Sequence, residues 1–317
     1  MRTPLARTAD GLIVTRDSRA RGEYAALAAA RAAGEVRRVR RGVYLETSHA
    51  ESLRDADRYR VRSLAVAAQR RSPVLAGCSA AVVRGLPLVG AAPAEVYVLA
   101  PAGSGRRRNG VVELVRPHAR PELHHGVAVT GIVDTLFDVA RTCSPLTALV
   151  MFDAALHAGP DGALCTRDEL EAAFEERLPF PGSARVRAVL DRCTELAESP
   201  LESLSRWQIE VGGFPPPELQ VPVQLPALGT TVRLDTAWRE FGIWGEADGR
   251  GKYLPGGDAG ATAARVYEEK RREDAIRLAT GWRCVRWGWA DAWSGEPLWT
   301  LLSEAGLPRA VGRGRRA

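Results

Sequence analysis

Lysine is almost missing from this chain: of 44 basic residues in 317, only Lys252 and Lys270 are lysines and all others are arginine. Beside abundant alanine, that bias is the mark of a GC-rich coding sequence. The net charge of +6 and the pI near 9.3 are therefore weak pointers to a nucleic-acid partner, which needs basic residues gathered on one face. Cysteine is also sparse. Cys78, Cys143, Cys165, Cys193 and Cys284 are odd in number and scattered, with no C-x-x-C pair. That excludes a readable disulfide framework or thiolate zinc site and leaves five small buried hydrophobes. No apolar run approaches the ~18 residues of a membrane helix, because Arg, Asp, Pro or Gly interrupts each one. The opening Met1-Arg-Thr-Pro-Leu-Ala-Arg7 has no apolar run and cleavage site, so the expected compartment is the cytoplasm. The five histidines show no metal-ligand spacing, and His124-His125 is expected in a solvated loop before Val127.

What is present reads as a mixed α/β multidomain chain, since this length exceeds one ordinary core. Four segments are expected: 1–50, a small helical module ending in a hairpin; 51–197, a central α/β domain; 198–308, an α/β sandwich; and 309–317, a basic tail. In the first, Tyr24–Ala33 is a helix stopped by Gly34, and residues 35–45 alternate Val36, Val39, Val43 and Leu45 with arginines around a Gly42 turn. A helix followed by a basic β-wing is how a winged helix-turn-helix ends. Arg37, Arg38, Arg40 and Arg41 would then contact DNA phosphates, although the same residues also read as a solvated basic hairpin. Further along, residues 55–70 form an amphipathic helix with Tyr59, Leu64 and Val66 inward, and Ser79–Arg84 a short one. Strands are expected at Glu95–Ala100, Val111–Arg116 and Val127–Thr130. The glycine-bearing loop 103–110 joins two strands and does not open a helix, so it is no phosphate cradle. Helices dominate 132–196, one of them started by the capping box Thr166-Arg-Asp-Glu169.

From Glu198 the pattern is helix, strand, strand, helix, strand, helix. If Arg239–Gly242 joins two antiparallel strands, Asp235 stands opposite Glu246 and alternation puts Asp248 on the same face. Val232, Leu234, Thr236, Ile243 and Ala247 take the other face. Like charges opposed at ~5 Å resist pairing, so a cation is required. Mg²⁺ or Mn²⁺ on Asp235, Glu246 and Asp248 suits hard oxygen ligands, with Lys252 or Lys270 available to stabilise phosphate charge. Equally open is a solvent-facing acid row, with Arg233 paired to Asp248 and Asp248-Gly249 a turn. Glu202 completes an N-terminal capping box with Ser199 and Pro200, which explains it locally. On the long helix near 262–280, Val266, Tyr267, Ile276 and Ala279 are expected inward, and Glu268 with Arg272 on the polar side. The following strand brings Arg286 toward the site edge.

The ordered series Ser199-Pro-Leu-Glu202, Pro216-Pro-Glu-Leu-Gln220, Arg233-Leu-Asp235, Glu246-Ala-Asp-Gly249, Glu269-Lys-Arg-Arg-Glu-Asp274 and Gly281-Trp-Arg-Cys-Val-Arg286 resembles the very-short-patch-repair-like branch of the PD-(D/E)XK nuclease superfamily over residues 198–303. The resemblance implies a restriction-endonuclease-like fold, a metal-dependent endodeoxyribonuclease and active-site positions at Glu202, Asp235 and Glu246. It also implies a departure, because Asp248 stands where many members place lysine. Gly34–Tyr44, Gly77–Leu88 and Val129–Arg141 resemble AbiEi-type antitoxins of type IV toxin–antitoxin systems, which implies a winged-helix autoregulator with DNA and a cognate toxin as partners. Two functions follow: a DNA-binding protein whose C-terminal domain hydrolyses phosphodiesters with Mg²⁺, or a non-catalytic antitoxin-type regulator whose nuclease fold is inactive.

Overall fold

The computed structural model describes residues 5–70, 72–100, 105–248 and 259–310, the side chains of 259–266 aside. The architecture is mixed α/β, with several small sheets, and divides into two compact units, Met1–Thr194 and Glu195–Ala317. Among the described residues no helix is long and apolar enough to cross a membrane. All five cysteines are free; four are buried and Cys284 is half-buried.

The first unit opens with strand β1 (Ile13–Val14) and helices α1 (Thr15–Ala20) and α2 (Tyr24–Ala32), followed by a hairpin of β2 (Val36–Arg40) and β3 (Val43–Glu46). These strands form one sheet in the order β1-β3-β2. Ile13, Leu27, Ala30, Val36 and Tyr44 pack together beneath it. Val36 and Val39 are three residues apart, a spacing that strict alternation sends to opposite faces. Val39 accordingly packs against the cluster of Val43 and Leu45, and the register shift between Arg38 and Arg40 brings Arg40, paired with Val43, to that same face.

Next come α3 (Thr47–Ser52), α4 (Asp55–Gln69) and α5 (Gly77–Val83). Leu12, Val43 and Leu45 pack in one buried cluster with Val61, Leu64, Val98 and Val129, so residues from both sides of position 50 share a core. Strands β4 (Val96–Leu99), β5 (Arg107–Arg108) and β6 (Val111–Leu114) form a second sheet, and β7 (Pro121–His124) pairs with β8 (Val127–Thr130). His124 thus belongs to a strand, not a loop, and His125 makes the turn at φ +47° with Gly126. Helices α6 (Ile132–Thr142), α7 (Pro145–Leu156), α8 (Arg167–Arg177) and α9 (Ser183–Leu190) complete the unit. The capping box at α8 forms as its sequence requires, Thr166 and Glu169 each bonding the other's backbone N–H.

The second unit runs α10 (Pro200–Val211), β9 (Glu218–Leu225), β10 (Thr230–Trp238), β11 (Ile243–Ala247), α11 (Ala259–Thr280), β12 (Arg283–Trp287), α12 (Trp289–Ser294) and α13 (Glu296–Glu304). Its sheet has the order β12-β11-β10-β9: an antiparallel meander, then a crossover through α11 that returns β12 parallel to β11. Ala275 and Ile276 of α11 pack with Val221, Val223, Leu225, Leu234 and Trp244. Toward α10, Trp287 Nε1 donates to Ser205 Oγ at 2.7 Å.

The expected separation of strand faces breaks within β10. Leu234 joins the cluster under α11, whereas Thr236 donates to the Gly245 carbonyl at 3.0 Å. The break falls at Asp235, between the ladder pairs Leu234↔Val221 and Thr236↔Leu219. At the facing step of β9, Gln220 adopts φ +51°, a left-handed conformation that interrupts alternation. On α11, Ile276 is buried as expected, but Tyr267 is 65% exposed and Ala279 is exposed. The inward stripe is set by Ala275 and Ile276, and the i, i+3, i+4 rule then puts Arg272 on the same side.

Candidate functional site

The acid cluster is assembled by three elements. Ser199 caps α10, its Oγ accepting from Glu202 N at 3.2 Å and donating to Glu202 Oε1 at 2.7 Å. Glu202 Oε2 accepts from the backbone N of Glu198 at 3.0 Å, one residue outside the cap, so the reciprocal half of the expected box is displaced by a residue. The same Oε2 accepts from Gln220 Nε2 at 3.2 Å. Gln220 is the link that sequence reasoning missed: its left-handed backbone presents the amide to Glu202, and glutamine carries no sequence signal for that conformation.

The hairpin closes through Arg239–Gly242 with Trp238↔Ile243 and Thr236↔Gly245 paired, the register that sets Asp235 and Glu246 at the next step. Asp235 Oδ2 accepts from Ala247 N at 3.2 Å. Burial first, then the neighbouring charge of Glu202, push its carboxyl up to about 6; Glu246 adds to the rise, while the Ala247 N–H and Arg272 oppose it. A carboxyl titrating there can take and return a proton near neutral pH. Glu202, Asp235 and Glu246 therefore form one electrostatic site.

Charge compensation comes from arginine. Glu246 Oε1 accepts from Arg272 Nη1 at 2.7 Å, and Oε2 from Arg286 Nε at 2.8 Å. Arg286, whose pairing partner across the parallel ladder is Glu246, also reaches Glu269 at 2.9 Å and Glu273 at 3.3 Å. Arg272, expected on the polar side with Glu268, instead serves the site. Arg233 pairs with Glu198 rather than with Asp248. Asp248 is half-buried and continues β11, its N–H donating to the Trp287 carbonyl at 2.9 Å. Lys270 is exposed on α11, and no contact brings it to the acids. Lys252, Gly249 and tail residues 311–317 lie outside the described residues.

Among the described residues no group of three or more acidic, imidazole or thiol side chains is arranged to hold a metal ion. The donor set gives the reason: both oxygens of Glu202 and both of Glu246 already accept hydrogen bonds. As arranged, both carboxylate oxygens of Glu246 are taken by guanidinium groups rather than turned to a divalent ion. Comparison with known protein families, curated proteins and solved structures finds no match.

In the first unit the four wing arginines separate into two kinds. Arg37, Arg38 and Arg41 are exposed along β2 and the turn. Arg40 is drawn inward by the bulge: Nε donates to Gln69 Oε1 at 2.7 Å and Nη2 to the Asn109 carbonyl at 3.0 Å. Burial, reinforced by Arg70, holds its guanidinium below the ordinary arginine range. It fixes the hairpin to α4 and the β5–β6 turn and is not a free phosphate contact.

Proposed function

We propose that the chain is a DNA-binding protein with a PD-(D/E)XK nuclease-like acid site in its second unit and a winged-helix-like module at its start. The observation that carries this reading is the convergence of Glu202 and Glu246 on Asp235, three acids from separate motifs whose mutual charge and burial raise Asp235 to about 6. The β1-α1-α2-β2-β3 order, with Arg37, Arg38 and Arg41 exposed on the hairpin, supports duplex docking through phosphate contacts.

The arginine clamp on Glu246 favours one form of this reading over the other. Both oxygens of the acid are taken by guanidinium groups, which suits a non-catalytic regulator of the AbiEi antitoxin type better than a metal-dependent endonuclease. Incubating supercoiled plasmid with Mg²⁺ or Mn²⁺, beside Asp235→Ala and Glu246→Ala, separates the two. Cleavage lost in both variants establishes the nuclease. A sequence-specific footprint without cleavage establishes the regulator. Cleavage unchanged in both variants overturns the acid site, and absence of any duplex binding overturns both forms.

A further inference from the structure

A cavity of about 420 Å³ opens in the second unit where β11 and β12 begin and α11 ends, away from the oxygen atoms of Glu202 and Asp235. Its volume lies within the range of small-ligand sites. Its chemistry is unusual for plain surface, because three aromatic residues, Phe241, Trp244 and Trp282, line it together with Arg277, Arg283 and Glu273. Phe241 is 37% exposed, and half-buried Trp282 has the Arg239 guanidinium 5.9 Å from its ring centroid, so Phe241 and the part of Trp282 away from Arg239 leave apolar ring area in water. Gly242, at φ +59°, makes the turn beside the Trp282 ring. Arg277 is held by Asp274 at 2.8 Å, whereas the Arg283 guanidinium is turned to the Ala305 carbonyl just beyond α13, Nη1 donating at 3.0 Å. The Asp274 anchor lowers the entropy lost when the Arg277 fork grips an anion.

A third chemical element narrows the ligand. Glu273 also lines the cavity, and its carboxylate repels a bare anion while accepting hydrogen bonds from ring or exocyclic N–H groups. Stacking surface, a cationic fork and one acceptor together match a nucleobase that carries a phosphate. We infer that this cavity binds a single nucleotide unit, with the base on Trp282 and Phe241 and the phosphate on Arg277. The unit is supplied either as a free mononucleotide or as an unpaired nucleotide of a DNA strand. Glu273 reaches Arg286 at 3.3 Å, so an occupant touches the same network that holds Glu246.

The test is calorimetric titration of the full chain with deoxyadenosine 5′-monophosphate, a dye-labelled deoxyadenosine tetranucleotide and inorganic phosphate. The mononucleotide is expected to bind, with Trp282→Ala weakening it about 5- to 140-fold, the stacking range converted at 1.4 kcal/mol per tenfold. Trp282→Phe is expected to restore most of that loss, and the exposed Arg277→Gln to weaken binding and flatten its salt dependence without disturbing the fold. Displacement of the tetranucleotide by the mononucleotide identifies a strand nucleotide as the occupant; mononucleotide binding without such competition identifies the free form. No binding of either probe, equal affinity in Trp282→Ala and Arg277→Gln, or equal competition by inorganic phosphate overturns the inference. Duplex binding through the wing is read separately, so its failure and this one are distinguishable.

Discussion

Replacing Asp235 by asparagine should make the second unit more stable, and the gain should depend on pH in a defined direction. The folded carboxyl holds its proton up to about 6, while an unfolded aspartate releases it near 3.8. Between those values the folded chain binds more protons, so stability falls as pH rises: the favourable contribution is complete below 3.8 and gone above about 6. The difference corresponds to about 3 kcal/mol at 1.36 kcal/mol per pH unit, reduced to about 1–2 kcal/mol because Asp235 is only half-buried and water screens it. Asparagine imitates the protonated acid, still accepts from Ala247 N, and removes the repulsion with Glu202 and Glu246. Urea denaturation followed by tryptophan fluorescence is the suitable assay, because all eight tryptophans fall in the second unit and report on it alone. With an m-value of about 1–3 kcal/mol/M, the midpoint at pH 7.5 should rise by roughly 0.3–2 M, and the rise should vanish near pH 4. A variant no more stable than wild type at pH 7.5, or equally favoured at both pH values, would refute the crowded-acid reading.

Four further outcomes follow from the contacts described above. Arg37→Ala with Arg38→Ala should lower the slope of log affinity against log salt by about 2, measured by fluorescence anisotropy on duplex DNA. Arg40→Ala should leave that slope unchanged and instead lower the first unit's thermal midpoint, costing about 1–2 kcal/mol through the lost bonds to Gln69 and Asn109. Gly245→Ala should cost about 1–3 kcal/mol or more in the fluorescence-detected urea midpoint, since its Cβ would meet the Trp287 ring and stand 2.5 Å from Thr236 Oγ1. Arg286→Gln, which strips a shared cation from Glu246, Glu269 and Glu273, should lower the fluorescence-detected urea midpoint, costing about 1–3 kcal/mol at pH 7.5.

Local chemistry was readable wherever the residues concerned are neighbours in the chain. The N-cap at Ser199 and the capping box at Thr166 depend on a few consecutive residues, and both helices start there. Hairpin register was also legible, because a four-residue connection fixes every later pair. The short strands β1, β5 and β7 were not, having only two to four residues each and no alternation long enough to detect. What escaped most completely was exception to alternation. The bulge at Val39 turned Arg40 from a phosphate ligand into a structural one, and the left-handed turn at Gln220 split Leu234 from Thr236. Both places leave the strand rule at a residue whose side chain then makes a long-range bond, to Gln69 or to Glu202.

The scarcity of lysine acquires a structural meaning at the acid cluster. Opposed carboxylates demanded a cation, and the sequence offered two lysines and many arginines whose number seemed to carry no information. The geometry answers with arginine: Glu246 needs a donor to each oxygen, and Arg286 must serve Glu246, Glu269 and Glu273 together. A planar fork with five donors can bridge three acids from a fixed strand position, whereas an ammonium has three donors on a freely turning stem. Arg286→Lys should therefore fail to restore the stability lost in Arg286→Gln, even though it restores the charge. Full recovery in the lysine variant would mean that the site needs only positive charge, and would return Lys252 and Lys270 to consideration as equivalents of the clamp.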